Sequence, residues 1–211
     1  KFLTVSSINY ELELKNTLEE IGKVFNLDRI LIYYFCKDPT FMKVEGQWNR
    51  KNIRSKREKQ EEEPVYALPW LIRKIKNDEI VIINDVEDLP AEAIFEAEIF
   101  SKEGLKSSLV IPLKNEKKSI GFICYESLSR SIIWEKSQIK MLENIAAAFT
   151  YTRAKIVKEK TYESIINGQS ILLNNSESQI WALSNVTSYA TVNEAHARFF
   201  GLKIGDLEYH D

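Results

Sequence analysis

Gly104-Leu105-Lys106-Ser107-Ser108-Leu109-Val110-Ile111-Pro112-Leu113, the polar turn 114–118, and Ile120-Gly121-Phe122-Ile123-Cys124-Tyr125-Glu126-Ser127 make up the stretch that decides the fold. Gly104 suits a helix stop, because glycine reaches the left-handed backbone that closes a helix at no steric cost. The two apolar runs that follow are short and β-branched, and the polar turn between them makes them neighbouring antiparallel strands. Their apolar/polar alternation is imperfect, as expected of central strands covered on both faces.

Working back from Gly104, residues 85–90 turn the chain, with Asp88 expected as the N-cap and Pro90 in the first turn of a helix running to Gly104. Residues 80–84 read as a buried strand, and 68–72 open a short helix with Pro69 in its first turn. Residues 50–63 are almost all charged: basic from Arg50 to Lys59, then Glu61, Glu62 and Glu63. Such a run is either a phosphate-binding patch or, more simply, a solvated segment whose acids cancel the field. Residues 29–36 form a strand buried on both faces. After the turn at 37–40, residues 41–48 set Met42, Val44 and Gly46 on one face against Lys43, Glu45 and Gln47 on the other, completing a hairpin. Leu14, Leu18, Ile21 and Phe25 recur at spacings of four, three and four on an opening amphipathic helix.

Forward of residue 127 lies a helix expected from Trp134 to about Lys160. Leu142, Ile145, Phe149, Thr152 and Ile156 form a heptad seam on it, read here as the dimer and signalling face, with packing on the helix's own sheet as the alternative. The lysines and glutamates then give way to residues 164–202, where Glu177, Glu194 and Arg198 are the only charges. The change sets domains at 1–157 and 158–211. The second contains a strand at 179–183, another at 189–193 and a helix at 194–200, too little to bury a core of its own.

With 29 Lys and Arg against 31 Asp and Glu, no global field draws the chain to nucleic acid or to a membrane surface. The longest apolar run, 30–36, is far short of a membrane span. Cys36 and Cys124 are too far apart for a CxxC motif and read as buried thiols of a reducing, cytoplasmic compartment. A chain that opens on Lys1 and closes on Asp211 is expected to be a piece of a longer protein.

His196 and His210 are the only histidines, so residues 1–195 hold no His-ligated haem, His-based zinc site or imidazole-activated nucleophile. His196, between Ala195 and Ala197, reads as structural. No glycine-rich phosphate cradle is present. Asp85, Glu87, Asp88, Glu92, Glu96 and Glu98 crowd one turn and helix without the spacing of a metal site, and read as acids favouring a helix start and a solvent face. No catalytic residue and no metal ligand is assigned. Trp48, Trp70, Phe95, Ser108, Phe122 and Tyr125 are the candidate lining of a small-molecule pocket; plain core packing would select the same residues.

Leu68-Pro69-Trp70-Leu71, Val81-Ile82-Ile83-Asn84-Asp85-Val86, Asp88-Leu89-Pro90-Ala91-Glu92-Ala93, the Gly104–Leu113 and Ile120–Tyr125 runs and Trp134 together closely resemble GAF domains of bacterial signalling proteins over about residues 5–157. Gln179-Ile180-Trp181, Tyr189, Val192-Asn193-Glu194-Ala195-His196-Ala197 and Phe200-Gly201 resemble the first half of a PAS domain. The resemblance implies an α+β sandwich: a central antiparallel sheet flanked by helices, with a partial PAS-like α+β segment at the C-terminus. It implies a non-catalytic sensory module, homodimeric through its terminal helices, that precedes a histidine-kinase or diguanylate-cyclase output domain. The Asn-Lys…Phe…Asp-Glu signature of cyclic-nucleotide binders and the Cys with neighbouring His of bilin binders are both missing, so neither ligand is expected, and an unknown small molecule remains open. The rival reading is a redox enzyme of the methionine sulfoxide reductase kind, using Cys36 and Cys124 as a pair. A weaker one is nucleic-acid binding through Arg50–Lys59.

Overall fold

The computed structural model describes residues 10–53, 62–115, 118–183 and 189–203, and the chain divides into two compact units, 1–156 and 157–211. In the first unit, strand β1 (Arg29–Phe35) is apolar at every position after Arg29, and its two faces explain why. Ile30, Ile32 and Tyr34 enter one core layer, while Leu31 and Tyr33 enter another. β1 pairs antiparallel with β2 (Phe41–Asn49) on one side and with β6 (Lys118–Ser127) on the other. β5 (Ser107–Asn115) pairs with β6 and with β4 (Val81–Ile83), and β3 (Glu63–Pro64) closes the far edge. The sheet order is β3-β2-β1-β6-β5-β4, antiparallel throughout. The expected α+β architecture is the one observed.

One face carries α1 (Tyr10–Val24) and the first part of α4 (Lys136–Asn174): Leu14, Leu18, Leu142, Ala146 and Phe149 pack there against Ile32, Ile111, Ile123 and Tyr125. The other carries α2 (Pro69–Lys76) and α3 (Ile94–Lys102): Trp70, Leu71, Ile75 and Phe100 pack against Tyr33, Val110, Phe122 and Cys124. Two apolar layers around one sheet bury both parities of the central strands, which is the origin of their broken alternation. Gly121 is fixed by the same closeness: a Cβ there would lie 2.0 Å from the Tyr33 carbonyl oxygen.

Three expectations need correction. Met42, Val44 and Gly46 do not share a face. Opposite Ile32 and Tyr33 stand Gly46 and Val44, so Glu45 is an extra residue in the ladder. A bulge reverses the alternation beyond it, so Met42 and Val44 face the α2/α3 layer, whereas Gly46 meets Leu14 and Ile32 and Trp48 joins the α1/α4 layer. Second, Asp88 is not the N-cap. Ala93 stands at the N-cap of α3 without a side-chain cap, while Asp85 caps a 3-10 turn, Val86–Asp88, accepting a hydrogen bond from the Glu87 N–H at 2.9 Å. A second such turn, Ala91–Ala93, precedes α3. Third, α4 runs to Asn174 rather than stopping near Lys160.

In the second unit, β7 (Trp181–Leu183) and β8 (Tyr189–Val192) form a two-stranded antiparallel sheet followed by α5 (Glu194–Phe199). Asn193, fully buried, organises it. Its side-chain oxygen accepts from the backbone N–H groups of Ile180 (3.0 Å) and His196 (3.1 Å), and its amide donates to the carbonyls of Leu173 and Ser178. His196 is buried between the rings of Trp181 and Phe200.

Candidate functional site

The six residues expected to line one pocket are not brought together. Trp70, Phe122 and, by strand alternation, Ser108 belong to the α2/α3 layer. Trp48 and Tyr125 lie in the α1/α4 layer, and Phe95 points outward, 61% exposed. The bulge at Glu45 separates Trp48 from Trp70, and the two-sided burial of β6 separates Tyr125 from Phe122.

The α2/α3 layer is nevertheless where polar chemistry meets the apolar core. Glu96, on α3, is fully buried. One carboxylate oxygen accepts from the backbone N–H groups of Trp70 (2.7 Å) and Leu71 (3.1 Å), in the first turn of α2. That helix has no side-chain cap of its own, since Leu68 stands at its N-cap, so α3 supplies the missing acceptor. The other Glu96 oxygen and the Ser108 hydroxyl are both buried without a hydrogen-bond partner among the described residues. In the same layer the Tyr33 and Phe122 rings stack at 4.9 Å between centroids, and burial, then the Glu63 charge, pushes the Tyr33 hydroxyl well above the ordinary tyrosine range. Two unpaired oxygens in an apolar layer are the groups a ligand with hydrogen-bond donors would satisfy.

Glu96 is the one member of its acidic group with such a setting. Glu92 pairs with Arg73, Glu98 with Lys102, and Asp85 accepts from the Ser131 hydroxyl. No group of three or more metal-binding side chains is formed among the described residues. The redox pairing also fails on geometry. Cys124 stands opposite Leu31 in the ladder, whereas Cys36 lies five residues further along, roughly 16 Å at a strand's rise, far beyond disulfide reach. The Cys36 thiol is pushed up by burial and by the neighbouring Glu62 carboxylate, away from the reactive thiolate. Of the basic run, Arg50 is held by Asp28 (2.9 Å) and by the Leu27 carbonyl; residues 54–61 lie outside the described ones.

The heptad seam is occupied within the chain. Leu142, Phe149, Thr152 and Ile156 are buried and Ile145 half-buried, with Leu142 and Phe149 in the α1/α4 core. This seam is therefore not a surface for a second copy. Beside it lies a constellation the sequence did not disclose. The Arg153 guanidinium makes two 2.9 Å bonds to the Glu45 carboxylate and lies 3.7 Å from the centroid of the Tyr34 ring. The bulge that misaligns β2 is at Glu45, and re-aiming a side chain is a common use of such a bulge. Burial pushes the Tyr10 hydroxyl up to about 12, against the opposing effect of Arg153.

Sheet order, two-layer helices and the motifs on them agree with the GAF domain family model, which matches residues 9–150. The chain belongs to the GAF family. Among solved structures, this GAF domain is similar to the blue-light absorbing form of the Thermosynechococcus elongatus PixJ GAF domain (14% identity, covering 76% of this chain and 95% of that one, TM-score 0.57). It is also similar to a phycocyanobilin-bound GAF domain from a cyanobacterial phytochrome (19% identity, 71% and 86%, TM-score 0.60). A third is a domain of a protein described as a two-component sensor histidine kinase from Sinorhizobium meliloti (20% identity, 70% and 93%, TM-score 0.54). At these identities the likeness is one of fold. Comparison with curated proteins finds no match. The expectation that no bilin is bound is overturned: GAF domains similar in fold to this one include structures with bound biliverdin and phycocyanobilin.

Proposed function

We propose that the chain is a non-catalytic sensory segment of a bacterial signal-transduction protein, in which the GAF domain reads a small molecule or a neighbouring domain and α4 carries the result onward. The observation that carries this reading is the helix itself. Within the GAF domain it is anchored by Leu142, Ala146, Phe149, Thr152 and Ile156, and it continues without a break to Asn174, well past the family match at residue 150. A rigid rod rooted in a two-layer core converts a shift of the sheet into a rotation or translation at its far end. The second unit, with its Asn193-centred turn, is read as the opening of a PAS domain. The output is read as a histidine kinase or diguanylate cyclase in the cytoplasm. Among the described residues no helix is long and apolar enough to cross a membrane.

The partner proposed for the outer face of α4 is a second copy of the chain. Met141, Tyr151, Tyr162, Ile165 and Leu172 are all more than half exposed, and their spacings of 10, 11, 3 and 7 keep one 3.5-residue seam. Sedimentation of the wild type at tens of micromolar should show dimer, and Tyr151→Glu with Ile165→Glu should give monomer. A wild type that stays monomeric sinks the proposal. Bilin holding is supported by the phycocyanobilin-bound relative. Visible absorbance of the chain after incubation with phycocyanobilin and gel filtration decides it. The sensory reading is tested by fusing residues 1–211, in helical register, to a kinase catalytic core. Kinase activity indifferent to one- and two-residue insertions in α4 after residue 160 would refute it.

A further inference from the structure

A cleft of about 870 Å³ opens between the C-terminal half of α1 and the end of β2, on the opposite side of the sheet from Glu96 and Ser108. Its size lies within the range of small-molecule sites. Four cations line it, Lys15 and Lys23 from α1 and Arg50 and Lys51 following β2, against one carboxylate, Glu19. Lys23 pairs with that carboxylate at 2.5 Å. Arg50 is fixed by the Leu27 carbonyl, the Asn26 side chain and Asp28, which sets a guanidinium over the carbonyl-rich end of α1 and offsets the negative pole of that helix. Lys15 and Lys51 make no ion pair among those described and leave the cleft net positive.

The wall is built as well as charged. The Trp48 indole lies against Gly22, where any Cβ would come within 2.2 Å of the ring, so the glycine is what lets the indole come this close to α1. Cations and an aromatic platform within one cleft suit an anion that carries a ring.

We propose that this cleft binds a small anion carrying a flat ring. The ring rests on Trp48, and its phosphate or carboxylate is met by Lys15, Lys23 and Lys51. The cleft touches α1 and β2, which both pack in the layer that roots α4, so occupancy would be felt by that helix.

Isothermal titration of the full chain at low salt uses adenosine 5′-diphosphate as the probe, and adenosine and inorganic pyrophosphate as its separated halves. Expected is saturable binding of the diphosphate at one site per chain, roughly tenfold or more tighter than either half. Lys15→Glu with Lys51→Glu should weaken it by roughly tenfold, since two exposed charges are reversed. Lys140→Glu on α4 should leave it unchanged. Pyrophosphate binding as tightly as the diphosphate would overturn the role given to the ring. Absence of binding, or binding indifferent to the two lysines, would overturn the site. Binding is read directly on the purified chain, so its failure leaves the sensory reading standing and its success does not depend on it.

Discussion

Removing the Arg153 side chain should loosen α4 from the sheet by an amount the geometry fixes. The guanidinium is about a quarter exposed and the Glu45 carboxylate about a third, and two parallel 2.9 Å bonds join them. A bidentate pair in that setting contributes about 1 kcal/mol, the upper end for pairs still in contact with water. Stacking on the buried Tyr34 ring at 3.7 Å adds about 1–2 kcal/mol, because that ring face is shielded. Arg153→Ala should therefore cost about 2–3 kcal/mol in urea unfolding of the chain, and Glu45→Gln about 1. The double mutant should recover a coupling of about 1 kcal/mol. Tyr34→Phe is the internal control. The Tyr34 hydroxyl is buried without a hydrogen-bond partner among the described residues, so its removal should be neutral or stabilising by up to about 1 kcal/mol while the stack survives. Hydrogen exchange should show faster amides over residues 150–156 in Arg153→Ala, with the β5–β6 ladder unchanged. A coupling below about 0.3 kcal/mol, or protection at 150–156 identical to wild type, would show that the contact is incidental and that Thr152 and Ile156 alone root the helix.

Burial alone would raise the Asp28 carboxyl, but hydrogen bonds from the Ser129 hydroxyl and N–H and the Leu128 N–H, with the Arg50 charge, outweigh it and hold the group below its ordinary value. A lowered folded-state value means stability that is present above the unfolded carboxyl's titration, about pH 4, and lost as pH falls through the folded one; melting temperature against pH should lose this acid limb in Asp28→Asn. Glu96→Ala should cost about 1–3 kcal/mol in urea unfolding, because it uncaps α2 and leaves two buried N–H groups unmet. Gly121→Ala should cost about 3 kcal/mol or more, or prevent folding, read by urea titration or soluble yield, since the added carbon meets the β1 backbone rather than a movable side chain. In native thiol titration Cys36 should react before the buried Cys124, and no intramolecular disulfide should form under mild oxidation.

Elements with their own local signal were legible in the sequence. Pro69 opens α2, Gly104 with its φ of +70° closes the segment after α3, and the apolar faces of α1 and α4 point where their periods require. Long-range pairings were not legible. The bulge at Glu45 leaves no mark in a pattern of two, because its position is fixed by how β2 lies against β1 and by the partner Arg153, 108 residues away. Glu96 shows the same limit from the other side. On its own helix it reads as one more solvent-facing acid, and only the uncapped start of α2 makes it the buried member of the group. The candidate pocket failed for the first of these reasons: an aromatic residue's side of the sheet depends on register, and one extra residue moved Trp48 across it.

The heptad seam on α4 shows what a signal through this domain must do. A coiled-coil reading spends the Leu142–Ile156 face on a second copy, yet the structure spends it on the sheet, where Leu142, Phe149 and Thr152 are at most 1% exposed. A helix so rooted cannot exchange its inner face for a partner without opening the core, at a cost of several kcal/mol for the large side chains alone. Any switch must then keep the inner face packed and act by tilt or axial shift, which small displacements of the sheet supply and the Arg153–Glu45 contact registers at the last turn before the helix leaves the unit. Charge reversal at that contact, Arg153→Glu with Glu45→Arg, separates the alternatives. If the contact transmits position, the swap restores the hydrogen-exchange pattern at 150–156 and the roughly 1 kcal/mol of the ion pair. If the Tyr34 stack is what counts, stability stays low, because a glutamate cannot replace the guanidinium over the ring.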